Sequence, residues 1–366
     1  MKRAWPLVVV ALALLACWDF EGEYQRCLDT GRCSTGGGGD GGSDGGDGGG
    51  GGCPSGAPTG NGLCLVARYS TLADTHGIFG TSSSSILVGG ANDSFEWIQS
   101  GVLTVENTGL GNYVTLTDLH GLSDSDVWSS GTAGFVGHSY VYHWDGSNWT
   151  NEFPSTTTGV DDCNGIWEEA AGAAFAACDL AVIRVTTAAQ VQTILDSSAT
   201  GLTYHGIWGV PGGPAWTVGS NLTTGEGIVS QRNGSTWSTQ TFTTGVLRAI
   251  HGRNDHDVWA VGDTAALLHL DDAGWHPVSA GVTADFNDVF VAPSGQAWVT
   301  TYDQRVLVIE PDGGRRAFIP PGLLGVPEYL VLQRVHVFST GDVWLTASTD
   351  DGGTNLQGAI LHYRQQ

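Results

Sequence analysis

The stretch LRAIHGRNDHDVWAVG, residues 247–262, decides the fold of this chain. Ile250 is an apolar residue followed by one with a ring side chain, His251. We take Ile250 as the mark of one short strand. Trp259 lies nine positions later, just after an Asp-Val pair, and marks a second strand. The polar Asn and Asp residues between the two marks are typical of a hairpin turn. The stretch therefore predicts a β-hairpin.

The same pair of marks recurs seven times from residue 73 onward. The offset between the two marks is nine residues every time, whereas the period between repeats varies from 39 to 47 residues. A fixed offset within a variable period indicates a rigid hairpin joined by loops of different length. The first marks are Ile78, Leu119, Ile166, Ile207, Ile250, Val289 and Val335, and the second marks are Leu87, Trp128, Phe175, Trp216, Trp259, Trp298 and Trp344.

Each repeat has room for four short strands. In the fifth repeat they are predicted at 247–252, 257–262, 265–270 and 274–279, with Gly, Asn and Asp in the turns. Four strands in each of several repeats of this length are typical of a β-propeller. We therefore predict an all-β, seven-bladed propeller of four-stranded antiparallel blades, with the blades near 73–109, 115–154, 161–196, 204–242, 247–281, 286–320 and 332–366.

The seventh repeat ends one strand short. Its third strand is predicted at 359–364, close to Gln366, and no sequence follows for a fourth. The segment 63–70 precedes the first repeat and has the pattern of a strand without a blade of its own. We expect it to complete the seventh blade and close the ring, so that the propeller spans 63–366.

Seven cysteines are present, and six remain once Cys17 is set apart. Antiparallel partners share a constant index sum, which is 341 for the marks Ile166 and Phe175. Cys163 and Cys178 also sum to 341, so we predict a cross-strand disulfide between them. The other four cysteines allow three pairings, of which we prefer the two between sequence neighbours. These preferred pairs are Cys27–Cys33 and Cys53–Cys64.

The first residues are typical of an exported protein. Lys2 and Arg3 precede an apolar run that ends in Leu14-Leu15-Ala16-Cys17, and we predict a signal peptide over 1–16. This ending resembles the lipobox of bacterial lipoproteins, which implies that Cys17 carries diacylglycerol and becomes the new N-terminus. Residue 18 is Trp rather than Asp, which in that family favours the outer membrane over inner-membrane retention.

A tether is predicted between the lipid and the propeller, over residues 17–62. Within it, residues 36–52 are thirteen Gly, three Asp and one Ser. Such a segment has no apolar surface to bury and behaves as a flexible coil with a span of roughly 20–25 Å. We therefore expect the propeller to stand off the membrane surface.

Three turns resemble the Asp-boxes of sialidase-like propellers. In such a turn Asp or Asn bonds nearby backbone N–H groups, Gly takes a positive φ, and Trp packs beneath. The resemblance supports the propeller and implies little about activity. The three copies are His143-Trp-Asp145-Gly-Ser-Asn-Trp149, Ser230-Gln-Arg-Asn233-Gly-Ser-Thr-Trp237 and His269-Leu-Asp271-Asp-Ala-Gly-Trp275.

The composition excludes several functions. The chain has 37 acidic and 14 basic residues, a net charge of -23, which argues against binding nucleic acid or anionic head groups. Its one lysine, Lys2, lies in the signal peptide, so Schiff-base chemistry and a phosphate-binding loop are excluded. We find no catalytic constellation and predict no metal site or cofactor. Acidic doublets such as Glu168-Glu169 are interpreted as solvated loop charges.

A polar residue lies two positions before each first mark, at the start of the predicted innermost strand. These starts lie near one mouth of the central channel. Either the polar side chains cap the channel, or they form a ligand ring in which His76, His205 and Arg248 are the most reactive members. An aromatic or His ring follows each mark and is expected to pack between blades. The polar set is His76, Thr117, Asn164, His205, Arg248, Asn287 and Gln333, and the rings are Phe79, His120, Trp167, Trp208, His251, Phe290 and His336.

These features predict a monomeric cell-envelope lipoprotein, held in the outer membrane by its lipid, whose propeller is a non-enzymatic binding module. The expected ligand is a protein or a glycan, and binding to nucleic acid is not expected. Two alternatives remain open. One is a carbohydrate-active enzyme, a glycosidase or lyase, on the same scaffold. The other is a scaffold for outer-membrane assembly.

Overall fold

A computed structural model describes residues 63–71, 75–108, 114–133, 138–153, 160, 162–197, 200–321, 323, 330–349 and 358–365. The predicted signal peptide, Cys17, the tether, and Cys27, Cys33 and Cys53 lie outside these residues. Their assignments therefore stay predictions.

Seven four-stranded antiparallel sheets form the described chain, one for each predicted repeat, so the seven-bladed propeller is confirmed. In the first six sheets the strands follow chain order from the innermost to the outermost, and each pairs antiparallel with the next. In the seventh sheet the innermost strand is the first of the three strands that the repeat supplies. The first four blades contain β2–β5 (Thr75–Ser82, Ser85–Gly90, Ser94–Gln99, Val102–Asn107), β6–β9 (Val114–Ser123, Asp126–Ala133, His138–Trp144, Trp149–Asn151), β10–β13 (Cys163–Ala170, Ala173–Cys178, Ala181–Thr186, Val191–Asp196) and β14–β17 (Leu202–Gly209, Ala215–Asn221, Gly227–Asn233, Thr236–Phe242).

The last three blades follow the same plan, apart from a short 3₁₀ turn at Asp263–Ala265, which is the one helical element within the described residues. They contain β18–β21 (Leu247–Asn254, Asp257–Gly262, Leu267–Asp271, Gly274–Pro277), β22–β25 (Phe286–Val291, Ala297–Thr301, Val306–Ile309, Arg315–Phe318) and β26–β28 (Leu330–Val337, Asp342–Thr349, Gly358–Gln365) with β1 (Leu63–Thr71).

The ring closes through β1, as the sequence predicts. β1 pairs antiparallel with β28, from Leu63 opposite Gln365 to Thr71 opposite Gly358. It thereby becomes the fourth, outermost strand of the seventh blade. The two ends of the propeller are therefore joined within one sheet.

The innermost strands differ from the prediction by one residue of register. Trp167, rather than Ile166, lies opposite Phe175, so the index sum along most of the hairpin is 342. A β-bulge at Asn164 then takes up one extra residue, and Cys163 comes to lie opposite Cys178. The predicted disulfide Cys163–Cys178 is present. The constant sum of 341 was therefore wrong for the strand as a whole and correct only beyond the bulge.

The hydrophobic core lies between neighbouring blades. The aromatic or His side chain that follows each first mark lies opposite the second mark on the neighbouring strand, as Trp208 lies opposite Trp216. Three of these rings, Phe79, Trp167 and Trp208, also contact the next blade at a glycine that leaves room for them. A Cβ at Gly252 would come within 2.6 Å of the Trp208 ring, and one at Gly121 within 3.0 Å of Phe79. These glycines allow the blades to approach closely.

The Asp-Val-Trp triplets open the second strand of blades two, five and seven for a local reason. In each, the Asp carboxylate bonds a His on the third strand, and the Trp lies opposite that His. The two rings are stacked in blades five and seven and tilted by 39° in blade two. We call this arrangement the Asp–His–Trp unit. The three units are Asp126–His143–Trp128 (Oδ1 to Nε2 2.7 Å, ring centroids 4.6 Å), Asp257–His269–Trp259 (3.0 and 3.9 Å) and Asp342–His362–Trp344 (2.7 and 4.0 Å).

The turn at Asp145 has the geometry expected from its sequence. Its Oδ1 accepts the backbone N–H groups of Ser147 and Asn148, both at 2.8 Å, and Gly146 has a φ of 90°. These N–H groups lower the pKa of Asp145, because they favour the charged carboxylate.

Candidate functional site

The seven innermost strands surround a central cavity of about 210 Å³. Residues from β2, β6, β10, β14, β18, β22 and β26 all contribute to its wall. It lies where the channel of a propeller is expected, and it is the place to look for a ligand.

Every polar residue of the predicted ring lies at a β-bulge. In six blades it is the residue left without a partner on the second strand, and in the seventh Gln333 and Arg334 together face Thr346. A bulge re-aims the side chains beside it. The six single bulges are at His76, Thr117, Asn164, His205, Arg248 and Asn287.

Three ring members line the cavity together: Asn164, His205 and Arg248, from three consecutive blades. The Asn164 amide donates to the carbonyl of Asp162 at 2.9 Å and to Asp179 Oδ1 at 3.4 Å. This leaves the Asn164 carbonyl oxygen to accept a bond from a ligand.

His205 and Arg248 give the site its electrostatic character. Burial, aided by the charge of Arg248, lowers the pKa of His205 to about 4, so its ring is neutral at physiological pH. The Arg248 guanidinium is half exposed and bidentate on Asp263, with Nη2 donating to Oδ2 at 3.0 Å and Nε to the other oxygen. Nη1 has no bond to Asp263, so Arg248 keeps donors that a ligand can use.

The other ring members have structural roles or lie apart from the cavity. Thr117 donates to the carbonyl of Cys163 at 2.9 Å, and Asn287 to the carbonyl of Leu332 at 2.8 Å, so each bonds the next blade. Gln333 donates to Ser348 Oγ in its own blade at 2.6 Å. His76 and these three residues do not contribute to the cavity wall. The capping interpretation therefore fits part of the ring, and Asn287 does not line the cavity.

The structure adds a charged cluster that sequence reasoning missed. Arg334 donates from Nη2 to the Thr117 carbonyl at 2.9 Å, in a blade two positions away. Its guanidinium lies 3.9 Å from Asp118 and 3.9 Å from Asp288. Burial raises the pKa of Asp118, and it raises the pKa of Asp288 to about 7, while Arg334 opposes both shifts. Asp288 is therefore partly protonated near neutral pH.

The cluster has a sequence signal that was not used. Each member lies immediately before the first mark of its blade and directly after that blade's residue of the polar ring. In the other four repeats this position holds Gly or Ala. Three charged residues at a position that otherwise holds the smallest side chains indicate a special role at the channel axis. They are Asp118, Asp288 and Arg334.

Glu168 also differs from the prediction. It lies within β10 with no exposed surface, rather than in a solvated loop. Burial, reinforced by the nearby charge of Asp126, raises the pKa of Glu168 to about 8, so its carboxyl is protonated at neutral pH. Its neighbour Glu169 forms ion pairs with Arg184 at 3.0 Å and Arg232 at 2.7 Å. The interpretation of this doublet as solvated loop charges was wrong.

Within the described residues no helix is long and apolar enough to cross a membrane.

Cys64 is disulfide-bonded, in addition to the Cys163–Cys178 pair. Its pairing with Cys53 stays a prediction.

Comparison with known proteins supports the fold. No family model matches the chain, and no curated protein matches it. Among solved structures, YCF48 bound to D1 peptide shares 15% identity, covering 85% of this chain and 99% of its own, at a TM-score of 0.63. YCF48 from Cyanidioschyzon merolae has 11% identity, coverages of 82% and 99%, and a TM-score of 0.59. The WD40 propeller domain of Doa1 has 10%, 84% and 98%, and 0.63. At these identities the likeness shows the β-propeller fold alone.

Proposed function

We propose that this protein is a non-enzymatic binding module of the cell envelope, and that it takes a segment of a partner protein at the channel mouth lined by Asn164, His205 and Arg248. One observation carries the proposal. Of seven polar residues at equivalent bulges, these three face a common cavity while the others bond within or between blades or lie apart from the cavity wall. Three adjacent blades thus direct unlike polar groups to one place.

The chemistry of the mouth suits a peptide. Asn164 offers a carbonyl acceptor, and Arg248 is half exposed and offers donors. His205 is neutral and offers either, depending on its tautomer. A peptide backbone presents both N–H and C=O groups, so an extended segment satisfies this mixture without needing a particular charge. YCF48, which has the same fold, is recorded with a bound D1 peptide, and this supports a propeller of this kind as a peptide-binding scaffold.

The position in the cell is part of the proposal. Cys17 carries the lipid anchor in the outer membrane, and residues 17–62 tether the propeller at a distance from it. The buried disulfide Cys163–Cys178 supports this, because disulfides persist in oxidising compartments outside the cytosol.

C17A should abolish incorporation of labelled fatty acid and release the protein from the membrane fraction. A C17A protein that stays lipid-labelled and membrane-bound contradicts the anchor.

The binding site is tested by affinity capture from envelope extracts. The site variant is N164A/H205A/R248A. The matched control removes the same three residue types from exposed or outlying positions, as N233A/H256A/R315A. We expect wild type and the control to capture the same proteins and the site variant to lose them, with similar melting temperatures for all three.

The opposite result is informative. Capture that is unchanged in the site variant contradicts the channel mouth as the binding site. A glycan array run in parallel separates the two ligand classes, since glycan binding without any protein capture contradicts a protein ligand.

A further inference from the structure

The outer hairpin of the fifth blade brings two histidines and a carboxylate together. His269 on β20 lies directly opposite His276 on β21, and Asp271 ends β20 between them in sequence. One nitrogen of each ring and one Asp271 oxygen all lie within 4.8 Å of one another. Imidazole and carboxylate are, with cysteine thiolate, the side-chain groups that bind zinc in proteins.

His269 is held as a metal-ligating histidine usually is. Its Nε2 bonds Asp257 Oδ1 at 3.0 Å, and its ring stacks on Trp259 with centroids 3.9 Å apart. A carboxylate on one ring nitrogen fixes the tautomer and the orientation, and it raises the basicity of the other nitrogen. Nδ1 of His269 is therefore left with its lone pair for a metal.

The other two groups remain accessible. Asp271 Oδ1 accepts the backbone N–H of Ala273 at 2.8 Å, which leaves its second oxygen for a metal. His276 Nδ1 lies 3.1 Å from the carbonyl oxygen of Gly274, and as the donor in that bond it leaves the lone pair of Nε2 for a metal. The side chains of His276 and Asp271 are each 42% exposed, and that of His269 is 21% exposed. A metal in solution can thus reach the three groups without opening the core.

The equivalent blades show why this is a property of the fifth blade. Blades two and seven have the same Asp–His–Trp unit, but the residue opposite the unit's histidine is Thr150 in blade two and Ala67 in blade seven. His276 takes that place in blade five. Packing of the propeller therefore does not require a histidine here.

We propose that His269, Asp271 and His276 form a Zn²⁺ site with water in the fourth position. Ligands at about 2.1 Å from a tetrahedral metal lie about 3.4 Å apart, so the three groups must close by about 1.4 Å at most. The half-exposed side chains of His276 and Asp271 have the freedom to do this. Two nitrogen ligands favour zinc over Ca²⁺ and Mg²⁺, which take oxygen ligands. No metal site was predicted from the sequence, because His-x-Asp-x₄-His does not have the ligand spacing of a familiar zinc motif.

The test is calorimetric titration of the purified full-length protein with zinc chloride at neutral pH, after metal removal with a chelator. We compare wild type with H276T, which gives blade five the residue found in blade two. Since loss of an outer-shell partner alone costs about 10- to 100-fold in metal affinity, loss of this ligand should weaken zinc binding by at least about 100-fold. H256A removes a nearby surface histidine outside the cluster and is the matched control.

The expected result is one zinc ion per wild-type chain, unchanged in H256A and lost in H276T. The melting temperature without zinc should be the same in all three proteins, and zinc should raise it in wild type and H256A only. Absence of saturable binding in wild type overturns the proposal. So does equal binding in wild type and H276T, or a loss in H256A as large as that in H276T.

Discussion

Three neutral histidines are structural parts of the channel wall. Nδ1 of His120 accepts the backbone N–H of Glu168 at 3.1 Å, and Nδ1 of His251 accepts that of Val291 at 3.0 Å, each from the next blade. Burial lowers the pKa of His120 to about 4 and those of His251 and His336 to about 3, and for the latter two repulsion from neighbouring histidines of the set contributes. Protonation would turn these acceptors into donors facing N–H groups, so neutrality is needed for the bonds between blades.

Replacing His251 should therefore change how stability depends on pH. The folded-state pKa is lowered, so the unfolded chain takes up a proton below pH 6.5 while the folded chain does so only near pH 3. Wild type thus loses stability as pH falls through this window, by about 1.4 kcal/mol per pH unit from this ring. Asn offers an acceptor at the position of Nδ1 and does not titrate. The free energy of unfolding of H251N should therefore rise relative to that of wild type by about 1.4 kcal/mol for each pH unit between about pH 6.5 and about pH 4.5.

Urea denaturation at a series of pH values measures this difference. The comparison within a pair of proteins matters, because Asp288 and Glu168 have raised pKa values and change stability with the opposite sign. H256N, at an exposed ring, is the control. A difference between wild type and H251N that does not vary with pH would show that His251 does not contribute as a buried neutral group.

For individual residues, the sequence predicted the structural role correctly where the residue type has few roles in proteins. The pair Cys163–Cys178 and the tryptophans at a fixed offset were assigned correctly. Arg334, Asp118 and Asp288 were missed, because each is unremarkable alone and their proximity depends on the ring bringing separate blades together. The three cavity-lining members of the polar ring were not separable from the other four, because hydrogen bonds between blades decide which side chains face the cavity.

At the scale of the element, the β-bulge is what the sequence pattern did not reveal. Strand positions and blade count follow from alternation and spacing, which repeat locally. A bulge adds one residue without altering the spacing of the marks, since it lies before the first mark in every blade. The two marks do not face each other, so the register was predicted one residue out along the hairpin, and the bulge at Asn164 is what brings Cys163 opposite Cys178.

The disulfide of the third blade should stabilise the propeller measurably. Cys163 and Cys178 are fully buried and are separated by 15 positions, and closing a loop of that length in the unfolded chain contributes about 3 kcal/mol. C163A/C178A should lower the free energy of unfolding by about this amount. Alanine avoids leaving two buried thiols or hydroxyls without partners.

Urea denaturation of the oxidised proteins measures the effect. Wild type treated with reductant should fall to about the level of the double variant treated in the same way, because reductant acts on the remaining disulfides of both proteins. Equal stability of oxidised wild type and C163A/C178A would contradict a stabilising role for this bond.

At the scale of the whole molecule, closure depends on a strand from the other end of the chain. Leu63 and Cys64 of β1 are buried, and Leu63 joins a core cluster that also contains Trp298 of blade six and Leu361 of β28. Tyr69 stacks on Trp344 with centroids 6.2 Å apart. β1 therefore contributes apolar contacts to blade seven as well as the pairing that covers β28.

A chain that begins after residue 71 should lose this closure. β28 would then be an exposed edge and blade seven a three-stranded sheet, and the contacts between blades six, seven and one would no longer be held from both sides. We expect a fall in melting temperature of at least about 10 °C and a less cooperative transition, because several kcal/mol of burial and pairing are lost at once.

The control for this truncation deletes residues 36–52 alone, which shortens the tether and keeps β1. Its transition should coincide with that of the unshortened protein, because this Gly-rich segment has no apolar surface to bury. Calorimetry distinguishes the cases, and the order of stability is the decisive observation. If the chain lacking β1 unfolds at the same temperature and with the same cooperativity as the tether deletion, then β1 adds a strand to blade seven without holding the ring closed, and closure must come from the contacts between the blades alone.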